Sequence, residues 1–236
     1  MMIKDFYQLF TLIRRSFPSI KFIIAGDFGQ LPPVNDSWQD DYENSPAMHS
    51  LCDGQRIKLS TCRRSDKELF DLYRSVQTID ITQFKPTQDT CLNLAYTHET
   101  RIKVNNQCMK RYLRSNPGIA IPKDTKNSKR QNVKLSKVMP IIAHTTNKKM
   151  NILNSQTFEI IDINTENFTI INDDVRVKLP IIDFHKHFYL GFCMIIHASQ
   201  GETYSSKYTI HDWCFTRFCE KAKYVAMSRG TNINNV

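Results

Sequence analysis

The chain has 236 residues, of which 41% are hydrophobic and 23% charged, as in ordinary globular proteins. Lys and Arg number 32 against 23 Asp and Glu, and the formal net charge of +9 favours a polyanionic partner, although many basic proteins bind no nucleic acid. The longest apolar run, residues 189–196, is too short to span a bilayer and no signal peptide precedes the chain, so we expect no membrane partner.

The cysteine pattern indicates a reducing compartment. The seven cysteines are odd in number and form no C-x-x-C pair, which predicts reduced thiols in an intracellular setting such as the nucleus, the cytoplasm or a viral replication site. His211, Cys214 and Cys219 lack a fourth ligand at suitable spacing, so no metal site is predicted.

The first predicted elements are a helix, which ends at Pro18, and a strand. Residues 22–25 form a short apolar run, which predicts a strand buried on both faces of a parallel sheet. Asp27 and Gln30 follow it, where ligands bind in open α/β sheets, although a polar turn after a core strand has the same pattern. Pro32 and Pro33 then fix an extended exit. The predicted buried face of the helix comprises Phe6, Leu9, Phe10, Ile13 and Phe17.

A polar connection and a second helix follow. Residues 36–55 are aperiodic and indicate a connection with one short helix, and residues 56–62 predict a strand. Ser65 and Glu68 have the spacing of a capping box, with Ser65 as the N-cap. Arg63 therefore lies on the loop before the helix, where arginines are most often simply solvated. The predicted buried face of this helix comprises Leu69, Leu72, Tyr73 and Val76.

The middle of the chain predicts a strand, a helix and a basic loop. Residues 91–96 predict the strand, and Thr97 and His98 start the helix, whose apolar face carries Ile102, Met109 and Leu113. Thr97 or the amides after it would suit a DNA phosphate, but an ordinary threonine cap explains the pattern equally well. Residues 116–137 are basic with few apolar anchors, which indicates a loop that is either a solvated face or follows a phosphate backbone.

The last hundred residues switch to strand patterns and then return to α/β patterns. Four short β runs within residues 138–179 predict a small inserted barrel. A buried strand is predicted at 188–196 and a further strand at 208–213. Helical spacing then extends from Phe215 to Ala226.

Four segments resemble motifs of superfamily 1 helicases. Residues 26–34, G-D-F-G-Q-L-P-P-V, resemble motif III at all seven of its fixed positions, and residues 62–64, C-R-R, resemble motif IV, often F-R-Q. Residues 197–203, H-A-S-Q-G-E-T, resemble motif V, usually H-K-S-Q-G-x-T, and residues 224–229, Y-V-A-M-S-R, resemble motif VI, usually Y-V-A-L-S-R. The motif V residues depart from the D-x-x-Q-G-x-E of the RNA-helicase branch, so the resemblance is to the RecD-like and Pif-type branch.

The resemblance implies a role for each matched position. Gln30 would contact the ATP γ-phosphate, Arg229 would be the arginine finger, and Arg63 would be the second γ-phosphate arginine. A guanidinium suits this task because it stays charged while negative charge develops on the transferred phosphoryl group. The other implied contacts are with the nucleotide, at Asp27, Gly201 and Thr203, and with DNA, at Thr97, His98, His197, Ser199 and Gln200.

Two motifs of the family are not in the chain. There is no G-x-x-x-x-G-K-[ST] phosphate loop and no D-E pair ahead of motif III. The resemblance therefore implies that ATP and Mg²⁺ both need an upstream helicase segment carrying Walker A and Walker B. We expect no ATPase activity from the chain alone.

The predicted fold class is α/β, of the RecA-like P-loop NTPase type. Residues 1–55 would be the remnant of a first RecA-like domain and its connection, and residues 56–135 and 188–236 would form the second. Residues 136–187 would be an inserted SH3-like β-barrel. In its first hairpin Ser155 stands where the family usually has glycine, and it would be strained if the turn needs positive φ.

Three functions are compatible with these residues. The first is the C-terminal motor portion of an ATP-dependent 5′–3′ DNA helicase that acts on single-stranded DNA or a DNA junction. The second is a catalytically inactive nucleic-acid-binding remnant of such a helicase, and the third is a structural interaction domain that uses the barrel. Gln30, Arg63 and Arg229 favour the first, because a pure binding module does not need γ-phosphate contacts.

Overall fold

The structure, a computed structural model, describes residues 3–31, 42–84, 90–123, 130–173 and 175–236. It divides into two compact units, Met1–Arg63 and Arg64–Val236. Pro32 and Pro33, the predicted extended exit, lie outside the described residues. Within the described ranges, every helix is too short or too polar to cross a membrane.

The described residues of the first unit include two α-helices. α1 (Ile3–Ser16) confirms the first predicted helix, and α2 (Pro46–Leu51) confirms the short helix predicted in the connection. Arg14 Nη1 donates to the carbonyl oxygens of Ser50 and Leu51 at 3.1 and 2.8 Å. The last carbonyls of a helix have no partner within the helix, so Arg14 caps α2 and holds α1 against it.

The predicted buried face of α1 is wrong. Phe6, Leu9 and Phe17 are 39%, 45% and 60% exposed, whereas Tyr7 is buried. The spacing identifies the apolar side of the helix, but burial also requires an element to cover that side. Among the described residues of this unit, α1 is covered by the short α2 and by the ring of Phe22, whose centroid lies 5.4 Å from that of Phe10.

The two strands predicted in the first unit are also wrong. Residues 21–27 and 55–62 have no strand pairing, and Ile23, Ile57 and Leu59 are 98%, 90% and 89% exposed. A β-strand exists only when a neighbour satisfies its backbone groups. The described residues of this unit contain no strand that could pair with either segment.

The second unit has ten strands and four α-helices among its described residues. The helices are α3 (Lys67–Arg74), α4 (His98–Tyr112), α5 (Phe184–His187) and α6 (Glu220–Met227). The strands are β1 (Leu92–Ala95), β2 (Ile119–Ile121), β3 (Val133–Leu135), β4 (Pro140–Ala143), β5 (Thr157–Ile163), β6 (Asn167–Ile171), β7 (Arg176–Pro180), β8 (Phe188–Leu190), β9 (Cys193–Ile195) and β10 (Tyr208–Ile210).

A small parallel sheet forms the α/β part of this unit. Its order is β10-β1-β9, and both ladders are parallel, so the predicted strands at 91–96 and 208–213 are confirmed in shortened form. α4 packs against β1 and β9. The buried Asn105 of α4 pairs with Cys193 of β9, donating to its carbonyl oxygen and accepting from its amide, each at 3.0 Å. This pair of hydrogen bonds fixes the helix to the sheet.

The four strands predicted within residues 138–179 are present, and they belong to an antiparallel sheet. Five strands pair in the order β7-β6-β5-β4-β8, with β7 and β8 at the edges. The rings of Phe158 and Phe168 meet that of Phe188 edge to face, with centroids 6.0 and 5.9 Å apart. Closure of this sheet into an SH3-like barrel stays a prediction. Ser155 has φ +69°, so the turn does require positive φ, and its amide donates to Ala143 O at 2.8 Å.

Three other predictions for this unit need correction. Residues 116–137 are not entirely loop, because β2 and β3 pair in an antiparallel ladder that covers buried Ile121, Val133 and Leu135. The predicted strand 188–196 is two strands, β8 in the antiparallel sheet and β9 in the parallel sheet. The chain changes sheets at Gly191, where an added Cβ would lie 2.8 Å from the carbonyl carbon of Pro140.

The N-cap of α3 is Asp66 rather than the predicted Ser65. The Asp66 carboxylate accepts from Leu69 N at 2.8 Å, while Ser65 Oγ donates to Gly230 O at 2.8 Å. Both residue types cap helices well, and the contact with Gly230, distant in sequence, places Ser65 one position outside the helix. The helix itself is confirmed, with Leu69 and Tyr73 buried.

Candidate functional site

The carboxyl ends of β1, β9 and β10 meet at one edge of the parallel sheet, and there Asp212 contacts the start of α4. Its Oδ2 accepts from the amides of Tyr96 and Thr97 at 3.1 and 3.0 Å, and its Oδ1 accepts from Thr100 Oγ1 at 2.6 Å. Thr97 is the N-cap, and its Oγ1 accepts from Thr100 N at 3.1 Å. A carboxylate of the chain therefore already lies at the positive end of the helix, where a phosphate was expected.

The segment that resembles motif V forms a tight turn after β9. Ser199 is buried, and its Oγ donates to Ile196 O at 2.8 Å. Gln200 and Thr203 are exposed. Gly201 is exposed with φ +96° and nothing within 4 Å of an added Cβ, so its backbone is open to an approaching ligand and requires glycine. His197 is half-buried, and burial lowers the pKa of its imidazole.

Arg229 follows α6 and contacts this turn. It is only 1% exposed. Its Nη1 donates to Ser199 O and Glu202 O, both at 3.4 Å, and its Nε donates to Val225 O at 3.0 Å. Its Nη2 donates to Ser228 Oγ at 2.9 Å. The two segments that resemble motifs V and VI therefore meet in space through one guanidinium.

A second arginine lies beside Arg229. Arg64 is exposed, and its Nη1 donates to Ser228 O at 3.3 Å. Burial lowers the pKa of Arg229, and the positive charge of Arg64 lowers it further. Two guanidinium groups held this close form a site that favours an anion such as a phosphate.

The candidate residues of the first unit lie in an exposed turn and at its end. Gln30 Nε2 donates to Asp27 Oδ2 at 3.1 Å, and Gly29 N donates to Asp27 Oδ1 at 2.9 Å. Asp27 is exposed and Gln30 half-buried. Arg63 is exposed and is the last residue of this unit.

The candidate residues thus fall into three groups. Gly201 and Thr203 lie in the turn that Arg229 contacts, Thr97, His98 and His197 lie at the edge of the parallel sheet, and Asp27 and Gln30 lie together in the first unit. Sequence reasoning placed Arg64 beside Arg63 in the segment that resembles motif IV but gave it no role of its own. It also missed Asp212. Its hydrogen-bond partners are more than 110 positions away, so no pattern of neighbouring residues could predict them.

The described residues offer cations for a phosphate but no ligand set for a metal. Within the described ranges, no group of three or more His, Cys, Asp or Glu is placed to hold a metal ion. Arg64, Arg229 and the open backbone of Gly201 suit the phosphates of a nucleotide.

The fold matches that of Pif1 helicases. The chain aligns with a Pif1 helicase from a study of unwinding at forked double-stranded DNA, with TM-score 0.60 and 15% identity over 89% of this chain and 58% of that one. Bacteroides Pif1 in complex with ADP-AlF3 and single-stranded DNA aligns with TM-score 0.55 and 16% identity, over 97% of this chain and 67% of that one. Pif1 helicase from Candida albicans aligns with TM-score 0.54 and 15% identity, over 89% of this chain and 63% of that one.

These likenesses show a mixed α/β fold that corresponds to the RecA-like domains of the Pif1 helicase structures. The chain spans less than two thirds of the first solved chain. No protein-family model and no curated protein matches the sequence.

Proposed function

We propose that the chain is the C-terminal motor portion of an ATP-dependent 5′–3′ DNA helicase of the RecD-like and Pif-type branch. The observation that carries the proposal is the contact of Arg229 with Ser199 and Glu202. It joins the segments that resemble motifs V and VI, which lie far apart in sequence. The Pif1-like fold supports the same conclusion.

In this proposal the chain contributes one wall of a nucleotide cleft. Arg229 and Arg63 stabilise charge on the γ-phosphate, Gln30 senses it, and Asp27, Gly201 and Thr203 line the nucleotide. We add Arg64, because its guanidinium lies beside Arg229. An upstream segment with Walker A and Walker B would hold the remaining phosphates and Mg²⁺, for which the described residues have no ligand cluster.

The arginine-finger role requires Arg229 to change partners. Its contacts with Val225 O and Ser228 Oγ, at 3.0 and 2.9 Å, are ordinary hydrogen bonds, whereas the two Nη1 contacts are long at 3.4 Å. Nη1 is therefore the group that exchanges carbonyl oxygens for phosphate oxygens, while Nε and Nη2 keep the side chain in place.

DNA would bind at the carboxyl edge of the parallel sheet. Thr97, His98 and His197 lie there, and Ser199 and Gln200 follow in the adjoining turn. Because the Ser199 hydroxyl is buried and donates within its own turn, we assign it to shaping the turn, with Gln200 exposed to the strand. The Bacteroides Pif1 structure is a complex with single-stranded DNA, and the forked-DNA study concerns DNA unwinding by Pif1 helicases, which supports DNA as the partner class.

The experiment is reconstitution of the motor. The chain is co-expressed with the segment encoded upstream of it that carries G-K-[ST] and D-E, and ATP hydrolysis is measured with and without single-stranded DNA. We expect DNA-stimulated hydrolysis by the pair and none above buffer by the chain alone. Brisk hydrolysis by the chain alone, or a pair that DNA does not stimulate, would contradict the proposal.

One observation favours the second candidate, an inactive nucleic-acid-binding remnant. Arg229 is only 1% exposed, and its guanidinium already donates to carbonyl oxygens of its own chain, which is the arrangement of a purely structural arginine. A reconstituted pair that binds DNA without hydrolysing ATP would establish this function instead.

A further inference from the structure

Four aromatic rings gather just beyond the ends of β1, β9 and β10. Tyr96 stacks on Phe218, with ring centroids 5.0 Å apart and an interplanar angle of 16°. The ring centroid of Phe215 lies 6.0 Å from that of Tyr96, and the ring centroid of His197 lies 6.5 Å from that of Tyr96. We call Tyr96, His197, Phe215 and Phe218 the aromatic platform. Its members come from three different parts of the chain, so the fold alone assembles it.

One ring of the aromatic platform is buried, and the other three are at least partly exposed. Phe218 is only 4% exposed and fixes Tyr96 by stacking. Phe215 is 43% exposed, and Tyr96 and His197 are half-buried. An aromatic ring that served only to stabilise the core would be buried completely, because burial of apolar surface stabilises a protein in proportion to the area buried. An open set of rings at a ligand-binding edge suits a planar partner.

The charges around the platform suit a polyanion. Lys223 Nζ lies 5.0 Å from the Trp213 ring centroid and 5.9 Å from that of Phe218, and Arg217 is exposed beside Phe218 in sequence. The neighbouring Asp212 carboxylate is engaged by backbone amides and hydroxyl groups at the start of α4. Aromatic rings flanked by lysine and arginine are the usual means of binding single-stranded nucleic acid without sequence preference.

We propose that the aromatic platform stacks the bases of single-stranded DNA, with Phe215 as the exposed ring that a base covers. This inference rests on the proposed function and deepens it, because none of the helicase-like motifs contains Tyr96, Phe215 or Phe218. Phosphate contacts hold the strand through its backbone, whereas the platform holds it through the faces of its bases. Binding at this site is therefore tolerant of sequence but dependent on bases.

The test compares two oligonucleotides that have the same phosphates. Affinities of the whole chain are measured by fluorescence anisotropy for an oligo-dT and for an abasic oligonucleotide of equal length. We expect the chain to prefer oligo-dT, and Phe215→Ala to lower the oligo-dT affinity by about fivefold or more while leaving abasic binding unchanged. Phe215→Tyr should keep the affinity. Phe215→Leu, which keeps apolar bulk without a ring, should lose it. Phe17→Ala, at a ring 60% exposed in the first unit, is the matched control.

The outcomes separate this inference from the proposed function. If the chain binds both oligonucleotides equally, or if Phe215→Ala or Phe215→Leu binds oligo-dT as the wild type does, stacking on the platform is overturned while DNA binding stands. If the chain binds neither oligonucleotide, the proposed DNA contact itself fails, and the platform fails with it.

Discussion

Arg229 donates a hydrogen bond to the carbonyl oxygen of Ser199, 30 positions earlier in the chain. This contact joins the end of α6 to the turn after β9, and with the Glu202 carbonyl it makes one guanidinium the link between two motif-like segments. The same side chain is therefore expected to matter for stability as well as for phosphate chemistry.

Replacing Arg229 should destabilise the second unit. Arg229→Met removes the guanidinium donors to Val225 O, Ser199 O and Glu202 O. Val225 O keeps the Ser228 hydroxyl and Ser199 O keeps the Glu202 amide, so Glu202 O is the carbonyl that loses its described partner, at a cost of about 1–3 kcal/mol. We expect the free energy of unfolding in urea to fall by about 1–3 kcal/mol, with a smaller loss for Arg229→Lys. Arg217→Met, at an exposed arginine, is the control and should change it by less than about 0.5 kcal/mol. Equal stability of Arg229→Met and the wild type would refute the structural link.

Asp212 should stabilise the start of α4 from a distance. Asp212→Ala removes the acceptor for the amides of Tyr96 and Thr97 and the hydroxyl of Thr100, so we expect a loss of about 2–3 kcal/mol in the free energy of unfolding. Asp212→Asn should cost less, because asparagine keeps one acceptor and tolerates the φ of +65° at this position. Asp173→Ala, at an exposed carboxylate, controls for the lost charge. If Asp212→Ala lowered the free energy of unfolding no more than Asp173→Ala does, Asp212 would not stabilise the start of α4.

Ser155 should be improved by glycine. Its φ of +69° costs an L-residue about 1 kcal/mol, and glycine adopts that conformation freely. Glycine also makes the unfolded chain more flexible, so we expect Ser155→Gly to raise the free energy of unfolding by only about 0.5 kcal/mol. Asn154→Gly, next to it without positive φ, should lower stability instead. If both substitutions changed the free energy of unfolding in the same direction, the turn would not be strained at Ser155.

His144 should make the second unit sensitive to acid. Its ring stacks on Tyr189 at 4.2 Å, and burial lowers its pKa, with the charges of Arg130 and His187 acting in the same direction. The unfolded histidine, with a pKa of about 6.5, then binds a proton more readily than the folded one. The stabilisation is therefore present above about pH 6.5 and is lost as the pH falls from there through the lowered folded pKa.

The check is the free energy of unfolding between pH 7.5 and 5.5. His144→Phe keeps a ring on Tyr189 but does not titrate, so its stability should fall less over this range than that of the wild type. His49→Phe, at an exposed histidine of the first unit, controls for the loss of one imidazole. An unchanged pH dependence in His144→Phe would show that other groups cause the acid sensitivity.

The second unit was predicted better from sequence than the first. The strand at 91–96, the cap at Thr97 and the alternating strands after 138 carry their signals within a few residues, and each formed where expected. The segments 22–25 and 56–62 have equally good strand composition but no described partner in their unit. Local pattern states what a segment can form, and pairing decides what it does form.

The site was predicted in part for the same reason. Arg229, Gly201 and Thr203 belong to recognisable motifs, and Arg229 does contact the turn that contains the other two. Asp212, Phe215 and Phe218 become important only because the ends of β1, β9 and β10 converge. No spacing within one segment predicts contacts that are made between three.

The most direct test of the central claim measures ATP turnover by the reconstituted pair with Arg229→Lys in this chain. Lysine keeps the charge but not the forked geometry, and an arginine finger is worth about 10³-fold or more in kcat. The account predicts a loss of about that size in DNA-stimulated turnover, with DNA binding unchanged and with Arg176→Lys, at an exposed arginine of β7, as active as the wild type. Undiminished turnover by a folded Arg229→Lys variant would contradict the claim that this chain supplies the cationic wall of the nucleotide cleft.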